Sequence, residues 1–381
     1  MTHRIAFERC ARAAACCAVL ASLPAFAQQP MLEWATPATP TNKPQTPEQA
    51  KEGQLKGRAL PPPEILQPTL DPELPAYTPR KEKLSGHFKG AASDVMVVLA
   101  NKWIDAFHKY HPDVAFTIDP PYAGSLGAVE LVKGDLDFVF VSRELKPDDV
   151  TGFQAKYGYG PLSVPVSGGS YRHFGALDAV AFMVNKANPI DGLTFEQLDR
   201  LFSKTHHRGG NEIRTWGDLG LGGEWADKPV HLYGIKPWNG FEEFIRQRVL
   251  STPGHRGEWR DDIHFEKLVF PVAKDVAQDP YALGYTGVAY LDAPVKVIAL
   301  QADGSKRFEP ATYEAVARAT YPLSRLTYFN TNKAPGKAMD PALEEFLKFV
   351  LSREGQQVVL DQAAYLPLRE KQATQARALL R

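Results

Sequence analysis

The stretch that decides the fold is VAFTIDPPYAGSLGAVELVKGDLDFVFV, residues 114–141. It opens with an apolar run at residues 114–118, typical of a strand, and continues into residues 128–132, whose composition is typical of a helix. Residues 136–141 are apolar enough to form a strand that is buried on both faces. A strand, a helix and a strand in this order predict parallel pairing through a right-handed crossover, and therefore an α/β protein.

A turn of small residues joins the first of these strands to the helix. In that turn, Gly124 and Ser125 allow the chain to reverse, so that the first helical turn directs unpaired N–H groups and the positive end of its dipole outward. Parallel sheets bind ligands beyond the carboxyl ends of their strands, where this turn and the segment Ser142-Arg143-Glu144 both fall. An anion is the ligand that this arrangement favours.

Order is expected to begin near Leu84, just ahead of an amphipathic helix. The apolar residues of that helix recur at intervals of three or four. They are Val95, Leu99, Trp103, Phe107 and Tyr110. Ser93 or Asp94 is the expected N-cap, because short polar side chains accept hydrogen bonds from the first N–H groups of a helix.

With 381 residues, the chain is long enough for two lobes. Further apolar runs predict strands at residues 179–184, 230–234, 284–290 and 295–300. Thr194 is the predicted cap of another helix. A last strand near residues 326–329 and a final helix near residues 343–351 are expected to pack back on the first lobe.

The first 27 residues predict a cleavable signal peptide. Arginines precede and enter an apolar run that is too short to span a membrane, and the tripeptide AFA at residues 25–27 fits the rule for signal cleavage. All three cysteines of the chain lie in this segment, so the mature protein is expected to contain no disulfide. An exported protein without cysteine indicates the bacterial periplasm.

Residues 28–81 are rich in proline and poor in aromatic residues, with Pro61-Pro62-Pro63 near the centre. Dense proline removes backbone donors and fixes φ, which predicts an extended arm or linker with little packing. Trp34 and Tyr77 are read as isolated aromatic residues of this arm, with docking on a partner as the alternative.

The composition and motifs argue against several function classes. The formal net charge is zero and no basic stripe is present, which argues against a nucleic-acid partner. No hydrolase elbow, P-loop or dinucleotide fingerprint is present, so we expect neither an enzyme nor a bound cofactor. His108 and His111 have no neighbouring ligands at metal-binding spacing, and we read them as surface histidines rather than a metal site.

A series of motifs resembles, in identity and order, the phosphate-binding proteins of ABC-type uptake systems. The motifs are ASDVM at 92–96, GS at 124–125, VSREL at 141–145, NPIDGLT at 188–194, TWGDLG at 215–220, GYTG at 284–287, YPLSR at 321–325 and SREGQ at 352–356. The resemblance runs from about residue 84 to residue 368. Because many separate motifs keep the order of the family, it is specific.

The resemblance implies the type II periplasmic binding protein fold. In that fold two α/β lobes, each a mostly parallel sheet flanked by helices, are joined by two crossing strands and close on a ligand in the cleft. The expected organisation is a first lobe from residues 82–175 and 321–381 and a second lobe from residues 176–320. A monomer is expected, with inorganic phosphate or a similar small anion as ligand and an ABC transporter membrane complex as partner.

In the family, helix N-termini, loop hydroxyls and an arginine of the second lobe hold a dehydrated phosphate. The matching positions of this chain, taken loop by loop, are Ser93 and Asp94, then Gly124 and Ser125, then Ser142 and Arg143, and finally Asn239 and Gly240 with Lys236 beside them. Such N–H and O–H groups suit anionic oxygens without the hydration penalty of a free ammonium.

The chain departs from the family at several expected donors. Val95, Ile235, Asn239 and Phe241 stand where the family has a threonine, an arginine, a serine and a threonine. Each charge-assisted hydrogen bond contributes about 1.5–3 kcal/mol, so these changes remove several kcal/mol unless other groups compensate. Two alternatives therefore stay open: the same fold with a different ligand, or a homologue that binds nothing and serves as a scaffold or signalling partner.

Arg143 is the residue that we select as the charged ligand contact. The alternative role is an ion pair with Asp94 or Glu144. As a ligand contact near the surface, Arg143 is expected to be replaceable by alanine with a loss of binding but a change in stability within about 1 kcal/mol.

Overall fold

The computed structural model describes residues 69–93, 95–118, 126–145, 147–171, 177–237, 240–362 and 364–381. The predicted signal peptide and the first part of the predicted arm lie outside the described residues. The strands are β1 Gly86–Ala92, β2 Val114–Ile118, β3 Phe138–Val141, β4 Leu162–Gly168, β5 Val180–Asn185, β6 Gly192–Thr194, β7 His231–Ile235, β8 His264–Glu266, β9 Ala282–Gly287, β10 Val295–Val297, β11 Ala299–Gln301 and β12 Leu326–Thr331.

Helices alternate with these strands along most of the chain. They are α1 Val97–His108, α2 Leu126–Lys133, α3 Pro147–Tyr157, α4 Phe195–Phe202, α5 Gly240–Ile245, α6 Val272–Gln278, α7 Tyr313–Ala317, α8 Pro341–Val350, α9 Arg353–Gln362 and α10 Glu370–Ala378. A π-helical turn, Arg246–Leu250, extends α5. Among the described residues, no helix is both long and apolar enough to cross a membrane.

Two larger sheets share one topology. The first has the order β2-β1-β3-β12-β4 and the second the order β10-β5-β9-β7-β8. In the first, β1 pairs in parallel with β2 and β3, and β12 lies antiparallel between β3 and β4. In the second, β7 pairs in parallel with β8 and β9, and β5 lies antiparallel between β9 and β10. Apart from β12 and β5, the strands of each sheet run in one direction, which confirms the predicted mostly parallel α/β class.

The two antiparallel strands, β5 and β12, each follow a segment in which the chain crosses from one sheet to the other. One crossing leads from β4 to β5 and the other leads into β12. Hydrogen bonds join the crossings, from the Gly169 N–H to the Arg325 carbonyl at 2.7 Å and from the Val180 N–H to the Leu323 carbonyl at 3.3 Å. Arg325 therefore lies where the chain returns from the second sheet to the first.

The core of the first lobe is aromatic, and the strand predicted at residues 136–141 is buried within it. All four residues of β3, FVFV, are buried. Phe138 stacks on Phe329 of β12 with 5.4 Å between ring centroids, and Phe140 stacks on Trp103 of α1 at 5.7 Å. Strand β3 is buried because β1 and β12 flank it within the sheet, while α1 and α8 add to the cluster on one face.

The helix caps agree with the sequence in one case and differ in another. Thr194 forms the predicted capping box with Gln197 at the start of α4. The prediction that Ser93 caps α1 is wrong, because the N-cap is Met96 and makes no side-chain bond. Ser93 instead uses its backbone carbonyl, which accepts from the N–H groups of Met96 and Val97. The Ser93 hydroxyl therefore does not cap this helix.

The C-terminal part extends beyond the predicted final helix. Helix α8 packs on the first lobe as expected, and α9 and α10 follow it. Their contribution to the core includes Val359, Ala373 and Ala376. The sequence did not predict these helices because they are short and polar. In α10 the buried residues are two alanines, Ala373 and Ala376.

The described end of the predicted arm is packed on the first lobe. Leu74 is completely buried in the core, and the Tyr77 hydroxyl donates to Glu345 at 2.9 Å and lies 2.9 Å from the His111 ring. His111 is buried rather than on the surface, which corrects its sequence-based interpretation. The domain boundary near residue 81 stays a prediction, but residues 69–81 already belong to the packed structure.

Candidate functional site

Ser93 lies at the carboxyl edge of the first sheet, directly after β1. Its backbone N–H donates to the Phe140 carbonyl of the neighbouring strand β3 at 2.9 Å. The residue is only 2% exposed, and its hydroxyl has no hydrogen-bond partner in the part of the chain that the structure describes. A buried polar group without a partner is destabilising by about 1–3 kcal/mol, so this hydroxyl is suited to an incoming acceptor.

Ser142 and Arg143 follow β3 at the same edge of the sheet, because β1 and β3 are parallel neighbours. Arg143 is 8% exposed, and its Nη2 forms an ion pair with Asp149 of α3 at 3.2 Å. Its Nη1 donates to the Glu144 carbonyl at 2.6 Å. The alternative that paired Arg143 with the carboxylate of Glu144 is corrected by this geometry, whereas the alternative pairing with Asp94 lies outside the described residues and stays a prediction. Arg143 is held in place by a residue of the next helix.

Glu144 links the two lobes. Its Oε1 accepts from Arg248 of the turn after α5 at 2.8 Å and from the Tyr328 hydroxyl of β12 at 3.1 Å. Burial and the Glu144 charge raise the pKa of Tyr328 well above its ordinary value. Burial lowers the pKa of Arg248, but Glu144 and Tyr328 outweigh it, so that this pKa is raised. The carboxylate of Glu144 is thus occupied by residues of both lobes.

The loop after β7 contributes less charge than its family counterpart. Ile235, in the place of the expected arginine, is completely buried. Lys236 is exposed, and its backbone N–H donates to the Glu266 carbonyl of β8 at 2.8 Å. Gly240 is exposed at the first position of α5. The second lobe therefore offers no guanidinium at position 235.

Arg325 is a functional candidate to which sequence reasoning assigned no role. It is 6% exposed, and its Cζ lies 5.2 Å from the ring centroid of Phe241 and 5.0 Å from that of Phe244. Its Nε has no hydrogen-bond partner among the described residues. Burial lowers the pKa of Arg325, although the charges of Glu144 and Asp178 act against this. The available signal was the arginine of the YPLSR motif.

Asp178 is the second buried charge of this region. Its Oδ2 accepts from the Ala289 N–H at 2.9 Å, and its Oδ1 has no partner. Burial raises the pKa of Asp178 to about 7, partly offset by the Ala289 N–H and by Arg325. A Cβ on Gly287 would lie 2.3 Å from Oδ2 and 2.7 Å from the Phe241 ring, so only glycine fits here. Asp178 and Phe241 therefore meet at the end of β9.

The ligand-binding roles assigned to the site residues from the sequence stay predictions. Asp94, Gly124, Ser125 and Asn239 lie outside the described residues, as does Trp238, and their roles stay predictions. The described members Ser93, Ser142 and Arg143 share one edge of the first sheet, whereas Lys236 and Gly240 belong to the loop after β7.

One group of side chains among the described residues has the composition of a metal site. His264, Glu266 and Asp275 place one ligand atom each within 4.8 Å of one another. His264 is exposed and already bonded to Glu266 at 2.9 Å. The group lies on the edge strand β8 of the second sheet and on α6, and it contains neither His108 nor His111.

Comparisons with known proteins identify relatives over most of the chain. A family model described as a PBP superfamily domain matches residues 78–354. The phosphate-binding protein PstS of Pseudomonas aeruginosa is 37% identical over 81% of this chain and 90% of its own length. Protein SphX of Synechocystis is 26% identical over 67% of this chain and 70% of its own length. The crystal structure of PstS from Borrelia burgdorferi superposes with a TM-score of 0.51 at 17% identity, covering 75% of this chain and all of that one, which supports the fold alone.

Proposed function

The chain belongs to the PBP superfamily, and from this premise we propose that it is the phosphate-binding component of an ABC-type uptake system. The observation that carries the proposal is a pair of buried donors without partners. They are the Ser93 hydroxyl at the end of β1 and the Arg325 Nε at the crossing into β12. Family membership supplies the class of ligand, and the relative named as a phosphate-binding protein is 37% identical.

The proposed mechanism is hinge closure around a small oxyanion. N–H and O–H donors match the oxygens of phosphate and replace its hydration shell, so the ligand satisfies groups that the protein leaves unpaired. The two crossings are the natural hinge, because they are the segments that connect the sheets. The bond between Glu144 and Arg248 joins the lobes beside the site and favours the closed form. The protein acts by binding alone, without catalysis.

The proposed location is the bacterial periplasm. The signal peptide predicted at residues 1–27 supports export, and the closed, loaded form would then be presented to a membrane transporter.

A second candidate keeps the fold and changes the ligand. Phe241 stands where the family has a threonine, and Ile235 is buried where the family has an arginine. The ring of Phe241 lies under Arg325, so its apolar surface lines the same region as the unpaired guanidinium. A ligand that carries both an anionic and an apolar group fits this combination.

The experiment that separates the candidates is calorimetric titration of the mature protein. The protein is unfolded and refolded to remove bound solute, then titrated with inorganic phosphate near pH 7, with sulfate as the matched control. Phosphate uptake predicts a dissociation constant of about 1 μM or tighter, equivalent to about −8 kcal/mol, and much weaker sulfate binding. Absence of binding up to millimolar phosphate would contradict the proposal and favour the altered ligand or the scaffold role.

A further inference from the structure

We propose that Arg325 is the guanidinium that binds the oxyanion, in place of the arginine that the family carries where this chain has Ile235. This inference rests on the proposed function and names the residue that gives the site its charge. The positive charge of the site then comes from the segment that leads into β12, rather than from the loop after β7.

The first support is the state of the Arg325 side chain. The residue is 6% exposed, yet its Nε has no hydrogen-bond partner among the described residues. Removal of a charge from water without a partner is strongly unfavourable, and folded proteins almost always pair such groups. An oxyanion at this position would supply the missing partner.

Of the neighbouring carboxylates, Glu144 is engaged elsewhere, and Asp178 is engaged through one of its two oxygens. Glu144 accepts from Arg248 and Tyr328, and Asp178 accepts from the Ala289 N–H through Oδ2. Both lie close enough to influence the pKa of Arg325, but neither forms an ion pair with it. The charges of Glu144 and Asp178 favour the protonated form of Arg325 without accepting hydrogen bonds from its guanidinium.

The second support is the way the guanidinium is held. Its Cζ lies over the rings of Phe241 and Phe244, at 5.2 and 5.0 Å from their centroids. Cation–π contacts of this kind use no N–H group of the guanidinium as a hydrogen-bond donor to an oxygen. The N–H groups that stay available can bind two oxygens of a tetrahedral anion at once.

The third support is the contrast with Arg143. That guanidinium is paired with Asp149 and with the Glu144 carbonyl, so part of its donor set is already used. Arg325 is the buried arginine of this region whose side chain is unpaired. The ligand class that follows is a compact oxyanion such as phosphate or arsenate, which accepts from Arg325 and from the Ser93 hydroxyl.

The test compares the phosphate affinity of the wild-type protein with those of Arg325→Gln and Arg325→Lys by calorimetric titration. Loss of a charge-assisted pair of bonds predicts binding weaker by about 10- to 100-fold in the Gln variant, with the Lys variant between the two. Arg260→Gln is the matched control, because Arg260 is equally buried in the second lobe but is paired with Asp262. Its phosphate affinity should stay unchanged even where its stability falls.

A measurement on the wild-type protein decides the matter if the Gln variant does not fold. The Nε–H resonance of Arg325, assigned by its disappearance in Arg325→Lys, should shift on addition of inorganic phosphate. Wild-type binding with unchanged affinity in the Gln variant, or with an unshifted resonance, would overturn the role of Arg325 and leave the proposed function standing. Failure of the wild-type protein to bind phosphate would instead overturn the proposed function itself.

Discussion

Arg143 and Arg325 are both buried, and they differ in what surrounds them. Arg143 follows β3 and pairs with Asp149 of the next helix. Arg325 precedes β12 and lies against two phenylalanine rings, with no acceptor for its Nε. Among the described residues, Arg143 has an ion-pair partner, whereas the Nε of Arg325 has none.

The difference separates structural roles from binding roles. A buried arginine with a carboxylate partner contributes to the folded state, and its removal breaks that ion pair. A buried arginine held by aromatic faces keeps its charge available. We therefore expect mutations at the first to change stability more than affinity, and mutations at the second to change affinity more than stability.

The largest expected loss of stability concerns Arg143. Arg143→Ala should lower the free energy of unfolding by about 3 kcal/mol, because it breaks the ion pair of Arg143 with the Asp149 carboxylate, whose side chain is 9% exposed. This replaces the sequence-based expectation of a change within about 1 kcal/mol. Urea unfolding measures the loss, and Arg143→Ala combined with Asp149→Ala should recover part of it. A loss below about 1 kcal/mol would show that Arg143 is not the structural arginine of the pair.

The next effect concerns Asp178 and pH. Burial raises the pKa of Asp178 from 3.8 in the unfolded chain to about 7. Between these two pH values the folded state therefore binds more protons than the unfolded state. Stability contributed by the protonated form is present below pH 4 and is lost as the pH rises towards 7. Asp178→Asn should remove this dependence, with a relative gain of up to about 4 kcal/mol at pH 8.

Urea unfolding of both proteins without phosphate, between pH 4 and pH 8, measures that gain. Other titrating groups are common to the two proteins and cancel in the difference. Parallel pH profiles for wild type and Asp178→Asn would contradict a raised pKa at this position.

A smaller effect is expected for the ring under Arg325. Phe241→Leu removes one aromatic face, and a buried cation–π contact contributes about 1 kcal/mol, or about fivefold in the dissociation constant for phosphate. Phe265→Leu is the control, since its ring contacts Trp259 of the second lobe instead. Equal phosphate affinities for the two variants would argue against positioning of Arg325 by Phe241.

The smallest effect is expected for the bond between the lobes. The side chains of Arg248 and Glu144 are 42% and 24% exposed, so Arg248→Gln should change stability by no more than about 1 kcal/mol. Small-angle scattering should nevertheless detect a larger radius of gyration without phosphate, because the open form gains population. Arg214→Gln removes a surface pair within the second lobe and should leave the radius unchanged.

Local patterns predicted much of the fold. The run FVFV became the buried strand β3, and Thr194 with Gln197 became a capping box, because both depend on residues close in sequence. The predicted N-cap of α1 was wrong, because the N-cap is Met96 rather than Ser93. Helix α10 was missed because its packing depends on contacts with the first lobe rather than on an apolar stripe.

The site was less predictable because its partners come from distant segments. Arg143 and Ser93 are recognisable from motifs, but the pairing of Arg143 with Asp149 depends on how α3 packs after β3. Arg325 is 84 residues from Phe241 in sequence, and only the crossing brings its guanidinium over that ring. No periodicity records such a contact, and an unpaired donor is visible only in three dimensions.

The most direct measurement is a crystal structure of the mature protein with inorganic phosphate. The predicted result is a phosphate at the edge of the first sheet, with oxygens at about 3 Å from the Ser93 hydroxyl and from the Arg325 guanidinium. A phosphate bound elsewhere, with both groups still unpaired, would contradict the assignment of these two donors to the ligand.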